Sequence, residues 1–211
     1  ADVQAVASSD PTRLTATRVG GAAPGAYTVE IAALARADQV RQAAGGASQA
    51  STDGVLEIAV DGTSVSVAVA AGDDLDAIAS KINAASGSPV YATVVSGRLY
   101  LSGKETGAAK TISVTSSPLA DELGLSDATR APSDHTIVAQ DASLVVNGVS
   151  LAFASNTVIS AIPGLALSLK ATTTSGSPVT VTVGAPEPDR EAVKAKIQAF
   201  VERYNDALSF I

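Results

Sequence analysis

The chain has 211 residues, with 14 Lys plus Arg against 21 Asp plus Glu, and so a formal net charge of -7. Phosphate binding needs a basic surface, which excludes nucleic acid as a partner, while 46% hydrophobic and 17% charged residues are enough to build a core. No cysteine and a single histidine exclude disulfides, thiolate metal sites, thiol nucleophiles and multi-histidine centres, so neither a metal nor a cofactor is expected.

Aromatic residues make up only 3% of the chain, and a core of Val, Ile, Leu and Ala favours flat sheet layers. With no Met, a start at Ala-Asp-Val and an end inside a helical pattern, the chain reads as part of a longer protein. No apolar run reaches the roughly 18 residues of a membrane span, and no basic start precedes an apolar stretch as in a signal peptide.

Alternation of apolar and polar residues predicts strands over 13–19 and 27–34, separated by the Gly20-Gly21-Ala22-Ala23-Pro24-Gly25 turn cluster. The small, polar stretch 43–52 predicts a linker. Leu56, Ile58 and Val60, then Asp61-Gly62, then Val65, Val67 and Val69 predict a hairpin, because both turn residues tolerate the positive φ of a type I′ turn. Leu75, Ile78, Ala79 and Ile82 fall on one helix face, with Asp73 and Asp76 suited to its first turn and Gly87 and Pro89 to its end. Strands over 90–95, 99–102 and 111–115 follow, so one amphipathic helix on one antiparallel sheet is the expected α+β unit. A short helix is predicted over 119–125.

From Ser143 the pattern is strand and turn: 144–147, 149–153, 165–170 and 179–183, punctuated by Asn147-Gly148, Ile162-Pro163-Gly164 and Ser175-Gly176-Ser177-Pro178. After Pro186-Glu187-Pro188, the residues Val193, Ile197, Phe200, Tyr204, Leu208 and Ile211 recur every three or four positions. They predict a long helix, roughly 35 Å, with a narrow apolar seam. A lone helix is marginal in water unless its stripe packs on something. Other helices are the expected cover; docking on the chain's own sheet is the alternative.

Three patterns approach reactive sites and fail. Residues 97–105 end in Gly103-Lys104-Glu105, but a phosphate loop needs four residues between its glycines and Ser or Thr after the Lys. Gly46-Ala47-Ser48-Gln49-Ala50 lacks the last glycine of a nucleophile elbow, and its base would have to be His135, expected in a solvated loop. Asp73, Asp74 and Asp76 lack the alternation of a calcium loop and suit a helix start instead. A carbohydrate-active enzyme is disfavoured by the scarcity of aromatic platforms.

Several segments together resemble the flagellar filament-capping, or hook-associated protein 2, family. They are Val6-Ala7-Ser8-Ser9-Asp10, Gly25-Ala26-Tyr27-Thr28-Val29 and Leu34-Ala35-Arg36-Ala37. Residues 54–85, with Leu75, Ile78 and the Ile82-Asn83 pair, and 90–115, with Arg98-Leu99, Leu101-Ser102 and Thr106-Gly107, are similar to the repeat inserted in flagellins and cap proteins. Further on come Ala139-Gln140-Asp141-Ala142, Val146-Asn147-Gly148-Val149, Ser155-Asn156-Thr157-Val158, Ile162-Pro163-Gly164-Leu165, Leu167-Ser168-Leu169-Lys170 and Pro178-Val179-Thr180-Val181-Thr182-Val183. Phe200-Val201-Glu202-Arg203-Tyr204-Asn205-Asp206 resembles the helix that opens the family's carboxy-terminal leg.

The resemblance implies an α+β, mainly β fold: a discontinuous β-rich head domain from 1–45 and 131–185, an inserted α+β head domain over 46–130, and the first leg helix over 186–211. Two successive domains are the alternative, and pairing of 27–34 with the segment after Ser143 distinguishes them. It implies a structural cap at the distal tip of the bacterial flagellar filament, secreted, not an enzyme, which promotes polymerisation of exported flagellin and prevents its leakage. Its implied partners are further copies of itself in a ring homo-oligomer, commonly a pentamer or hexamer, flagellin, and an export chaperone on the full-length protein, with no membrane. The leg interface candidates are Val193, Ile197, Phe200, Tyr204, Leu208 and Ile211. A surface adhesin or other filament component, binding host or matrix ligands through the heads, is the alternative.

Overall fold

The computed structural model describes residues 2–208. Its hydrophobic side chains gather into two separate cores, one enclosed by the chain's early and late strands and one by its middle. In the enclosing unit a five-stranded antiparallel sheet runs in the order Val149–Phe153, Ala142–Val146, Gly25–Ala33, Val179–Val183, Val6–Ser8. The Gly25–Ala33 strand thus pairs on both sides with strands from late in the chain, Ala142–Val146 and Val179–Val183. A three-stranded sheet of Thr157–Val158, Leu165–Leu169 and Leu14–Arg18 contributes its apolar side to the same core. Alternation does the sorting: Val179, Val181 and Val183 are buried while Thr182 is exposed.

The inserted unit departs from the expectation of one sheet. It has two, a three-stranded sheet (Ile112–Val114, Gly54–Val60, Thr63–Val69) and a four-stranded sheet (His135–Ile137, Gln39–Arg41, Arg98–Gly103, Val90–Val95). Periodicity shows which residues of a strand face inward, but not which sheet the strand joins. Helix α1, Leu75–Ala84, buries Leu75, Ile78, Ala79 and Ile82 in the shared core. Asp74 caps it by accepting from the Ala77 N–H at 2.8 Å. Asp73, expected in the first turn, instead accepts from the Ala70 N–H and pairs with Lys81. Helix α2, Pro118–Glu122, is shorter than expected and is followed by Gly124 at φ +63.

Pairing also moves two pieces across the expected boundaries at 45 and 131, since Gln39–Arg41 and His135–Ile137 belong to the inserted unit's sheet. The predicted linker over 43–52 is exposed at most positions but is anchored to the inserted unit. Ala50 is buried, the Ala47 N–H donates to the Glu122 carbonyl, and a Cβ on Gly46 would stand 2.4 Å from the Leu123 oxygen. Small residues there serve close packing.

Three two-residue hairpin turns have positive φ at both positions: Asp61-Gly62 (45° and 79°), Ser96-Gly97 (50° and 72°) and Asn147-Gly148 (48° and 84°). Between the units, Arg36 and Gln140 bridge the two connecting segments, with the Arg36 N–H donating to the Gln140 carbonyl at 2.9 Å. The 104–110 loop closes the joint. Thr106 Oγ1 donates to the Ala154 carbonyl at 2.6 Å and the Ala108 N–H to Asp141 Oδ1 at 2.7 Å.

Candidate functional site

Helix α3, Arg190–Leu208, leaves the enclosing unit through Glu187–Pro188, which pairs with Asp2–Val3. Asp189 starts it: its Oδ1 accepts from the Ala192 N–H and its carbonyl from the Val193 N–H, both at 2.9 Å. At a rise of 1.5 Å per residue the helix is about 28 Å long.

The predicted seam is uncovered, with Val193 51%, Ile197 58%, Phe200 69% and Tyr204 56% exposed. Phe200 and Tyr204 stack with ring centroids 6.4 Å apart, and Pro188, Val193 and Ile197 line a groove at the helix base. Docking of this helix on the chain's own sheet, the alternative drawn from the sequence, is not what the structure shows. The side chain of Leu208 and all of Ile211 lie outside the described residues.

The other candidates are accounted for structurally. Gly97 closes a hairpin and Gly103 ends a strand, so the Lys104 segment is a sheet rim, with Lys104 Nζ 4.8 Å from the Tyr91 ring centroid. Ser48 is exposed, with no strand-turn-helix frame around it. Asp73 and Asp74 serve helix α1, and among the described residues no cluster of His, Asp or Glu could hold a metal ion. No helix among the described residues is long and apolar enough to cross a membrane.

His135, expected in a solvated loop, starts a strand instead. Its Nδ1 lies 3.3 Å from Oδ1 of Asp38, a fully buried carboxylate whose Oδ2 accepts from the Ile112 N–H at 2.7 Å. Asp38 was not a candidate, because its partners are 74 and 97 positions away. Neighbouring Asp134 is buried and takes the Arg41 Nε at 2.9 Å, with Arg98 at 3.7 Å. Burial raises its pKa, but the Arg41 hydrogen bond, the Ala131 N–H and the two guanidinium charges outweigh that and hold it below the usual carboxylate range.

Two β-rich units carry a helix whose apolar stripe is uncovered among the described residues, an arrangement suited to packing against other helices. The family model for the flagellar hook-associated protein 2 C-terminus matches residues 139–211, and that for the flagellin hook IN motif matches residues 49–105. The chain is similar to the flagellar hook-associated protein 2 family over nearly all of its length. It is 30% identical to the A-type flagellar hook-associated protein 2 of Pseudomonas aeruginosa over 96% of its own length and 47% of that protein, so it spans about half of that relative. The crystal structure of the D1-D2-D3 domains of the flagellar cap protein FliD from Escherichia coli is similar at 28% identity and a TM-score of 0.77, covering 97% of this chain and 63% of that one. The D2-D3 domains of the Escherichia coli protein alone are similar at 27% identity and a TM-score of 0.73, covering 89% of this chain and all of that one. The homologues are thus flagellar cap proteins.

Proposed function

We propose that this chain is the head and first leg helix of a cap at the distal tip of a bacterial flagellar filament. There it promotes polymerisation of exported flagellin and prevents its leakage. The single observation that carries this is the exposed Val193, Ile197, Phe200 and Tyr204 stripe, joined to the enclosing unit through the pairing of Glu187–Pro188 with Asp2–Val3. Leu208 and Ile211 continue the same spacing. The two cores act as two head domains and α3 as the start of the leg.

A cap needs no bond-breaking chemistry. It needs heads that keep their shape and seams that pair and re-pair as subunits insert. Covering one apolar side chain of the stripe contributes about 1.5–3 kcal/mol, while association costs roughly 4–15 kcal/mol in lost freedom. A few side chains per contact therefore give pairing that is specific and reversible. The partners in this reading are further copies of the full-length protein in a ring, flagellin at the growing end, and an export chaperone before secretion.

The test is complementation of a strain lacking its cap protein with the full-length protein. Restored filaments are expected. Flagellin accumulating in the medium without filaments would overturn the proposal.

A further inference from the structure

Among the described residues the outer face of the inserted unit's four-stranded sheet is partly open: Tyr91, Thr93 and Val95 are exposed, while Gln39, Arg41, Arg98 and Tyr100 are half-buried. The four-stranded sheet buries Val40, Leu99, Leu101, Val90 and Ala92 in its core, and alternation sends the intervening residues outward. Across the strands that outer face presents Gln39 and Arg41, then Arg98 and Tyr100, then Tyr91 and Thr93. Tyr91 is 60% exposed, and Lys104 lies over its ring at the edge.

This composition is unlike the rest of the molecule. Two of the chain's 4 tyrosines and three of its 14 basic residues meet here, and the four strands carry no Asp or Glu, in a chain of net charge -7. The unit's acidic side chains sit elsewhere, among them Asp61 at a hairpin turn, Asp74 and Asp76 at the start of α1, and Asp121 and Glu122 in α2. Glu105, however, follows Lys104 at the edge, and Asp134 pairs with the two arginines of the face. Asp134 is buried beneath Arg41 and Arg98, which are still 32% and 28% exposed. Arg98 also donates to the Gln42 carbonyl. Both guanidinium groups are thereby fixed before any partner arrives, which lowers the entropic cost of binding.

We propose that the outer face of the four-stranded sheet, centred on Tyr91, Arg98 and Arg41, is a docking surface for an acidic polypeptide segment. Guanidinium groups match planar carboxylates in shape as well as charge. Tyr and Arg are the residues that dominate the energetics of protein interfaces. Acidic groups elsewhere on the chain do not prevent docking, because their repulsion is screened beyond about 8–10 Å at physiological salt. The proposal is independent of the cap reading.

The test is titration of the isotopically labelled 211-residue chain with a deca-glutamate peptide, followed by backbone amide resonances, with deca-glutamine as the control. Shifts confined to residues 39–41 and 90–104 are expected, together with salt-sensitive binding. Affinity should fall about tenfold in Tyr91→Ala/Lys104→Ala, a variant that spares Asp134's partners and the core. Any of five results would overturn the proposal: no binding; binding unchanged in the variant; binding centred on Lys194 and Lys196; a heparin oligosaccharide bound by the face when the peptide is not; or the same shifts on raising protein concentration alone, which would make a second copy the occupant.

Discussion

The Asn83 side chain pairs with both backbone groups of Ala92, its Nδ2 donating to the carbonyl at 2.7 Å and its Oδ1 accepting from the N–H at 2.8 Å. Val90–Val95 is an edge strand of the four-stranded sheet, and Asn83, at the end of α1, pairs with its open side in place of a neighbouring strand. Asn156 does the same for Ala35 in the enclosing unit, donating to its carbonyl at 2.9 Å and accepting from its N–H at 2.8 Å. Asn83→Ala strands a half-buried donor and acceptor and is expected to cost about 1–3 kcal/mol. Urea unfolding of the variant and the parent chain measures it; equal midpoints would show that water replaces the side chain without loss.

Gly107 sets the joint between the units. At φ +122, a Cβ there would stand 2.7 Å from Ala154 Cβ, beside the bond from Thr106 to the Ala154 carbonyl. Gly107→Val is expected to force the 104–110 loop off Ala154, at a cost of about 1–3 kcal/mol from strain and crowding. The two cores should then unfold separately, visible as two transitions in calorimetry where the parent shows one. A single unshifted transition would mean that the loop does not hold the units together.

Asp134 links acidity to the inserted unit's stability. Its pKa in the folded chain lies below the unfolded value of about 3.9. The stabilisation is therefore present above that pH and is lost as pH falls through the folded value. In Asp134→Asn this part of the dependence should vanish, so the stability difference between parent and variant narrows steadily between about pH 5 and pH 3. A difference that stays constant over that range would show that Arg41 and Arg98 do not depend on the carboxylate's charge.

Much of this was legible before the fold was known. The hairpin at Asp61-Gly62 and the inward face of α1 follow from local chemistry, as do the strands on either side of Asn147-Gly148. The short strands Gln39–Arg41 and His135–Ile137 were not legible, because three residues are too few for alternation to show. That gap hid the second sheet of the inserted unit and misplaced His135, whose partner Asp38 reaches it only through pairing of those strands. On α3 the recurrence of Val193, Ile197, Phe200 and Tyr204 was legible as a pattern. The exposure of that stripe depends on what packs against it, and no local spacing carries that information.

In the proposed function the α3 seam is the contact surface. In the full-length protein, Phe200→Glu and Tyr204→Glu place a charge where packing is expected, and a charge resists desolvation. Both side chains are more than half exposed in this chain, so the melting temperature of the heads should stay within the small range typical of surface changes. The most direct measurement is the partition of flagellin between filament and medium when cap-deficient cells carry the parent or the Phe200→Glu protein, each confirmed to be folded and exported. The account predicts filaments with the parent and flagellin in the medium with the variant. Filaments of normal length with the variant would contradict it.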